Sequence, residues 1–96
     1  MDFSYKKDYL KRFDRFPQQE KGLIILADKQ IRDYYTTHSA PYGLRIKKLF
    51  QEANAGIFEA RVSDKIRILW VESENLAVFT ILGSHDEIRN YIKRLR

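Results

Sequence analysis

The segment GIFEARVSDKIRILW, residues 56–70, places three charged side chains among alternating apolar residues. Its period of two predicts two β-strands that are joined at Ser63-Asp64. The charged side chains are those of Glu59, Arg61 and Arg67. Two arginines on neighbouring strands suit a phosphate group, because each guanidinium can donate two parallel hydrogen bonds to phosphate oxygens. The segment is therefore a candidate phosphate site.

The register of this hairpin follows from its apolar residues. With a loop at residues 63–65, one apolar face is formed by Phe58, Ala60, Val62, Ile66, Ile68 and Trp70. The same register places Arg61 directly opposite Arg67, with Glu59 diagonal to Arg67 on the same face. A shift by one residue would turn Arg67 toward the core. The pattern therefore predicts that the three charges lie together on the face away from the core.

The two arginines raise a question of energetics, because like charges directly opposite each other usually destabilise a sheet. A bound phosphate would offset their repulsion. Alternatively, Glu59 neutralises them in a surface ion network, which contributes little to stability. The pattern alone is compatible with both interpretations.

The composition indicates a small basic globular protein. The chain has 96 residues, which fits one domain (1–96), and 44% of them are hydrophobic, enough for a compact core. Its 18 Lys and Arg residues exceed its 13 Asp and Glu residues, which gives a net charge of +5. Nucleic acid is the leading candidate partner, and a merely soluble basic protein is the alternative.

The composition also excludes several classes of function. There is no cysteine, so disulfides, thiol catalysis and thiolate metal sites are excluded, and two histidines argue against a zinc site. The N-terminal segment lacks the apolar stretch of a signal peptide. The longest apolar stretch, LAVFTILG at 76–83, is too short to cross a bilayer. We therefore expect a cytoplasmic protein that uses neither a metal nor a small-molecule cofactor.

Two helices should precede the central strands. Alternation of Phe3 and Tyr5 allows a short first strand at residues 2–6. Helical spacing then follows in Tyr9, Leu10, Phe13 and Phe16. A second helix is predicted from 18 to 36, with Pro17 suited to its first position. Its expected apolar stripe is Leu23, Ala27, Ile31 and Tyr34, with Leu26 and Tyr35 beside it.

After Gly43 the apolar period changes from helical to two. Turn residues separate four predicted strands, LRIKKLF (44–50), GIFEARV (56–62), KIRILWVE (65–72) and LAVFTILG (76–83). Helical spacing returns at residues 85–96. The expected fold class is α+β. An antiparallel sheet of four strands, or five if residues 2–6 join it, packs on the N-terminal helical hairpin and is followed by a C-terminal helix.

This order of elements, together with four sequence segments, resembles the RelE/ParE toxin superfamily over nearly the whole chain. The segments are Gly43 to Leu49, Gly56 to Val62, Ile66 to Trp70, and Leu82 to Asp86. These are the toxins of bacterial and archaeal toxin–antitoxin pairs. RelE-like members cleave mRNA in the ribosomal A site, ParE-like members inhibit DNA gyrase, and some homologues are inactive.

The resemblance implies a catalytic set. Arg67 matches the arginine that contacts the scissile phosphate in RNA-cleaving members, and Arg61 falls where such members place Lys or Arg. Glu59 falls near the general base, and His85 falls where several members place a catalytic His or Arg. Asp86 stands where some members have a tyrosine, which leaves the assignment of acid and base open. An N-cap role in the last helix is the alternative for His85.

The same resemblance suggests RNA-binding residues outside the catalytic set. Arg45, Lys47 and Lys48 are expected on a basic surface that meets mRNA or ribosomal RNA, with a solvated strand edge as the alternative. Tyr91 matches a tyrosine that stacks near the cleaved nucleotide, although its place on the apolar stripe of the last helix favours core packing.

Two functional hypotheses follow from the residues and the resemblance. The first is a ribosome-dependent mRNA endonuclease that is held silent by a cognate antitoxin. Its metal-independent reaction would use the 2′-hydroxyl as nucleophile and leave a 2′,3′-cyclic phosphate. The second is a toxin without catalysis, which binds DNA gyrase or only its antitoxin. An acid/base set favours the first hypothesis, because a gyrase-binding protein has no need of one.

Overall fold

The computed structural model describes residues 1–95. It contains a five-stranded sheet with helices on both faces. The elements in chain order are β1 (Asp2–Tyr5), α1 (Lys7–Arg15), α2 (Gln18–Thr37), a 3₁₀ helix (Tyr42–Leu44), β2 (Lys47–Glu52), β3 (Ala55–Arg61), β4 (Arg67–Ser73), β5 (Leu76–Gly83) and α3 (His85–Leu95). The strand order is β1-β5-β4-β3-β2. Strands β2 to β5 form the predicted antiparallel meander, and β1 joins as a fifth strand parallel to β5. The α+β fold predicted from the sequence is confirmed.

The helical hairpin of α1 and α2 packs on one face of the sheet, here called the hairpin face. The predicted register of β3 and β4 is confirmed, since Phe58 pairs with Trp70, Ala60 with Ile68, and Arg61 with Arg67. The six apolar residues of the central hairpin all belong to the cluster on this face. Trp70 and Ile68 are fully buried there, and the ring of Phe58 stacks on Trp70 with centroids 5.6 Å apart.

Helix α2 presents to the sheet a stripe that matches the predicted one only in part. The buried positions are Ile24, Ala27 and Ile31, and Tyr35 packs against them. Leu23 and Leu26 are about half exposed, at 47% and 52%. Ala27 and Ile31 are buried as predicted, whereas the prediction for Leu23 and Leu26 was wrong, because the run LIIL at 23–26 is apolar throughout and its periodicity does not distinguish neighbouring faces. Pro17 is the N-cap residue of α2 rather than its first helical residue.

A hydrogen-bonded chain explains why Tyr35, and not Tyr34, faces the sheet. The indole Nε1 of Trp70 donates to the Tyr35 hydroxyl at 2.7 Å, and that hydroxyl donates to Glu72 at 2.8 Å. Burial raises the pKa of Tyr35, so it remains a neutral donor. The polar groups of these two aromatic residues are therefore satisfied inside the core.

Strand β2 begins later than the sequence predicted. Residues 42–44 form a 3₁₀ helix, and Arg45 follows in the left-handed region with φ 47°. Such a conformation interrupts an extended strand, so pairing starts only at Lys47. The pairing shifts again at Leu49, which forms a bulge opposite β3.

The second face of the sheet, here called the α3 face, carries its own small core. Ile57, Leu69 and Ile81 pack there against Ile88 of α3. A bulge in β5 makes this possible: Trp70 pairs with Phe79 and Leu69 with Ile81, so Thr80 has no partner between them. The sequence predicted that this face lies away from the core, and that prediction was incomplete, because α3 covers part of it. Among residues 1–95, no helix is long and apolar enough to cross a membrane.

Candidate functional site

A clamped carboxylate lies at the centre of the candidate site on the α3 face. Glu59 points to this face from β3, and its side chain is only 5% exposed. Its Oε2 atom lies 3.2 Å from Nη1 of Arg67 and 3.7 Å from Nζ of Lys47. Lys47 reaches it because Lys47 and Glu59 pair across β2 and β3. A buried carboxylate between two cations is the arrangement that offsets the cost of desolvating a charge.

Arg67 keeps unused hydrogen-bond donors at the edge of this site. One Nη atom binds Glu59, while Nε is buried without a hydrogen-bond partner among residues 1–95. The side chain as a whole is 22% exposed. A guanidinium has five N–H donors, so Arg67 can hold Glu59 and still donate to an oxyanion.

Arg61 stands opposite Arg67 as predicted, but its guanidinium turns away from Glu59. It forms an ion pair with Asp64 in the hairpin turn, with Nη2 and Oδ1 2.5 Å apart. Each arginine therefore has its own carboxylate, and their mutual repulsion is relieved within the chain. The shared phosphate fork that the sequence suggested stays a prediction.

His85 is the first residue of α3 and its side chain is free of any capping role. Ser84 caps the helix: its hydroxyl accepts from the Glu87 N–H at 3.2 Å, and Glu87 accepts from the Ser84 N–H at 2.9 Å. This is a capping box, in which two N-terminal donors are satisfied reciprocally. The alternative interpretation of His85 as the N-cap is therefore wrong. Its Nε2 atom instead accepts a hydrogen bond from Nε of Arg89, at 2.8 Å.

A shallow pocket of about 230 Å³ between α3 and the β2–β3 pair joins these groups. Its lining consists of Lys47, Leu49, Phe50, Glu59, His85, Ile88, Arg89, Ile92 and Lys93. Glu59 and His85 thus face one cavity, and Arg67 adjoins it through Glu59. Three of the lining residues are cations and one is an acid, so the pocket suits an anionic ligand. No group of three or more His, Cys, Asp or Glu side chains in residues 1–95 is placed to hold a metal ion.

The structure separates the predicted RNA-binding residues. Lys47 lines the pocket, whereas Lys48 pairs with Phe58 and extends over its ring, with Nζ 5.9 Å from the centroid. Arg45 lies over the ring of Tyr42 at 5.8 Å. Tyr91 packs against the apolar cluster of the α3 face, as its helical spacing favoured. Only Lys47 of these four lies in the candidate site.

Two basic pocket residues were missed by the sequence analysis. Arg89 and Lys93 follow His85 at intervals of four, which places all three on one side of α3. That spacing was a usable signal. The apolar stripe of the same helix predicts only its buried face, and it does not indicate which polar positions lie beside the sheet.

A mixed sheet of this order, with a helical hairpin on one face and a C-terminal helix on the other, is similar to solved structures of toxins from toxin–antitoxin complexes. The resemblance predicted from the sequence is confirmed for the fold. The archaeal RelE–RelB complex from Pyrococcus horikoshii OT3 matches 86% of this chain and 92% of that chain, with a TM-score of 0.66 and 15% identity. No family model matches the chain, and no curated protein matches it in sequence.

Two further toxin–antitoxin structures are similar over about nine-tenths of the chain. The RelB–RelE complex from Methanococcus jannaschii covers 91% of this chain and 95% of that chain, with a TM-score of 0.63 and 21% identity. The DinJ–YafQ complex from E. coli covers 91% of this chain and 94% of that chain, with a TM-score of 0.66 and 18% identity. These likenesses concern the fold.

Proposed function

We propose that this protein is the toxin of a toxin–antitoxin pair and that it cleaves mRNA on the ribosome. The observation that carries the proposal is the placement of Glu59 and His85 around one basic pocket, beside an arginine with unused donors. The fold supports it, because proteins of the same fold include RelE and YafQ, each crystallised with an antitoxin.

The proposed reaction needs no group beyond the side chains of this site. The 2′-hydroxyl of the RNA gives its proton to His85, and its oxygen forms a bond to the adjacent phosphorus. The bond from phosphorus to the 5′-oxygen breaks, and Lys47 gives a proton to that departing oxygen. The products are a 2′,3′-cyclic phosphate and a free 5′-hydroxyl. Arg67 donates to the phosphate oxygens, where negative charge increases in the transition state.

Glu59 takes a positioning role in this proposal, although its position first suggested a general base. Its Oε2 atom is shared by two cations and its side chain is almost fully buried. A carboxylate in that environment is occupied as an acceptor and is shielded from a substrate hydroxyl. Its effect is to hold Arg67 and Lys47 at the pocket, which fixes the two groups that meet the phosphate.

The proposed regulatory partner is an acidic, partly disordered antitoxin. The similar structures contain the antitoxins RelB or DinJ. A net charge of +5 on this chain favours a partner of opposite charge, and a disordered segment can cover a large surface when it folds on binding. Co-expression with a small acidic neighbouring gene should restore growth and yield a co-purifying complex. Harmless expression of the protein alone, without any co-purifying partner, would contradict the toxin assignment.

Arg67 is the residue that tests the enzymatic proposal. Purified Arg67→Ala should keep the fold, with some loss of stability because Glu59 loses one of its two cations, yet cleave ribosome-bound mRNA about 10²–10³-fold more slowly, which is the typical cost of one lost oxyanion donor. Arg67→Lys should recover little, because an ammonium cannot reproduce the planar fork. Arg61→Ala is the matched control: it removes the arginine directly opposite, which binds Asp64, and should cost far less.

The product and the target separate the two branches of the superfamily. Cleaved mRNA ends should carry a 2′,3′-cyclic phosphate, which is detected by mass spectrometry of a short programmed message. An assay of DNA gyrase supercoiling with the same preparation should show no inhibition. Full cleavage by Arg67→Ala, or gyrase inhibition without any mRNA cleavage, would overturn the endonuclease proposal.

A further inference from the structure

Arg89 donates a hydrogen bond to Nε2 of His85, the atom that accepts the proton in the proposed reaction. An arginine can only donate, so Nε2 of His85 accepts the hydrogen bond from Nε of Arg89 at 2.8 Å. A neutral imidazole has one nitrogen lone pair available for accepting a proton. While Arg89 holds it, His85 cannot take a proton from a 2′-hydroxyl.

Arg89 itself lines the pocket and can move. Both side chains are exposed, and they lie one helical turn apart on α3. Exposed pairs at this spacing contribute little to stability, so the contact is easily exchanged for a better one. Lys47 and Lys93 line the same pocket, which draws an anion toward Arg89.

We propose that Arg89 is an additional phosphate-binding residue, and that its contact with His85 is a resting state which an RNA phosphate in the pocket breaks. A phosphate oxygen carries a negative charge and accepts two parallel bonds from the guanidinium, whereas the neutral Nε2 atom accepts one. The guanidinium therefore transfers to the phosphate, and Nε2 becomes free to accept the 2′-hydroxyl proton. This inference rests on the proposed endonuclease function, and it makes substrate binding the step that activates the base.

Nuclear magnetic resonance of the imidazole nitrogens tests the exchange without any cleavage. The chain has two histidines, so His38 at the end of α2 is an internal control. At about pH 8, where an ordinary imidazole is neutral, inorganic phosphate should shift the Nε2 signal of His85 in the wild type. Sodium chloride of equal ionic strength should not shift it, and His38 should respond to neither salt.

Variants on the same helix assign the response to Arg89. In Arg89→Ala, the Nε2 signal of His85 should already lie near its phosphate-shifted position and should not respond to phosphate. Arg94→Ala is the control, because Arg94 is an exposed arginine of α3 outside the pocket lining, and this variant should behave as the wild type. The proposal would be overturned by a wild-type signal that ignores phosphate, or by an Arg89→Ala signal that stays at the position of the phosphate-free wild type.

Kinetics with ribosome-bound mRNA separate this inference from the function on which it rests. Arg89→Ala should raise KM by about tenfold, the effect of one lost charge-assisted contact, while kcat changes little because the base is already free. A fall in kcat at unchanged KM would contradict the proposed role of Arg89. If the wild type cleaves nothing while the phosphate response persists, the endonuclease proposal fails and the anion-dependent exchange at His85 stands.

Discussion

The two faces of the sheet are built from the same strands but differ in how their apolar and polar residues are arranged. On the hairpin face, buried apolar residues are continuous, and several polar groups find partners inside the protein. The Trp70–Tyr35–Glu72 chain is one example. Another is Tyr5, whose hydroxyl donates to Asp28 at 2.7 Å. Burial and this hydrogen bond raise the pKa of Tyr5 to about 12.

The α3 face has a smaller apolar cluster with a charged border. Its buried residues are Ile57, Leu69, Ile81 and Ile88. Glu59 and Arg67 lie directly beside this cluster, where the low dielectric strengthens their interaction and any interaction with a ligand. Alternate residues of β3 and β4 therefore have different roles: one set forms the main core on the hairpin face, and the other contributes to the candidate site on the α3 face. Substitutions on the two faces should separate loss of stability from loss of activity.

His85 on the α3 face should give the largest effect on activity with almost none on stability. His85→Asn should reduce cleavage of ribosome-bound mRNA by about 10²–10⁴-fold, as expected for a lost proton-transfer group. Its thermal unfolding should match the wild type, because Ser84 forms the cap. Ser84→Ala should show the reverse pattern, with about 1 kcal/mol of lost stability. If His85→Asn cleaves normally, the base lies elsewhere.

Trp70 on the hairpin face should show the opposite behaviour. Trp70→Ala should lower the free energy of unfolding by about 3–5 kcal/mol, since it removes a fully buried indole and leaves the Tyr35 hydroxyl without its donor. Urea denaturation measures this. Leu69→Ala, at a fully buried position of the α3 face, should cost near the lower end of about 2–5 kcal/mol. A larger cost at Leu69 would show that the smaller cluster dominates stability.

Glu59 should affect both stability and activity, because it is buried and also positions the cations of the site. Glu59→Gln should cost about 1–3 kcal/mol of stability, since Arg67 loses the charge that compensates its own. Asp64→Asn is the matched control: it also removes a carboxylate bound to an arginine, but that side chain is 90% exposed. Its cost should stay within about 0.5 kcal/mol. Equal costs in urea denaturation would mean that Glu59 is effectively solvated.

Each face also contains one buried polar atom without a hydrogen-bond partner in residues 1–95, the Tyr9 hydroxyl and Nε of Arg67. Because they lie on different faces, we expect the two atoms to have different roles. Tyr9→Phe should leave activity unchanged and raise stability by up to about 1 kcal/mol, because it removes an unsatisfied group from the hairpin face. Burial raises the pKa of Tyr9, so its hydroxyl is neutral and carries no charge to the site. A loss of cleavage in Tyr9→Phe would contradict this separation of the faces.

The sequence pattern predicted the hairpin face well because its information is local. The period of two in β3 and β4 determines which residues are inward, and it leads directly to the opposed pair of Arg61 and Arg67. The first turns of the α2 stripe were not predicted correctly, since the apolar run at 23–26 satisfies several helical phases. The bulge at Thr80 was not foreseen either, because an extra residue in a strand changes the facing of its neighbours without changing the composition.

The candidate site was predicted less completely because it depends on contacts between distant elements. The charges were identified, yet the clamp on Glu59 requires Lys47 from β2, and the pocket requires α3 to cover the sheet. The direction of a side chain also determines whether it belongs to the site. Arg61 forms an ion pair with Asp64 of the hairpin turn and not with Glu59. Arg89 lies four residues after His85, which places both side chains on one side of α3. This spacing indicates a shared site only when the position of the helix on the sheet is known.

The smallest expected effect concerns the ion pair that joins the two layers across the sheet. Arg12 of α1 donates to the Leu82 carbonyl at 3.1 Å and to Glu87 of α3 at 2.7 Å. The Ser84 N–H and the Arg12 guanidinium lower the pKa of Glu87 below its ordinary value. The stability that Glu87 contributes is therefore fully present above the ordinary glutamate pKa, and it is lost as the pH falls through the lowered pKa of the folded protein.

Glu87→Gln should therefore be less stable than the wild type at pH 7, and this difference should disappear in strong acid. The difference at pH 7 should not exceed about 1 kcal/mol, because half of the side chain is exposed and its charge is screened by water and salt. Urea denaturation at several pH values measures it, with Asp86→Asn as the control, a neighbouring acid without an ion pair among residues 1–95. A difference that persists unchanged at low pH would mean that the side chain contributes through its shape, and that the two layers are joined without this charge.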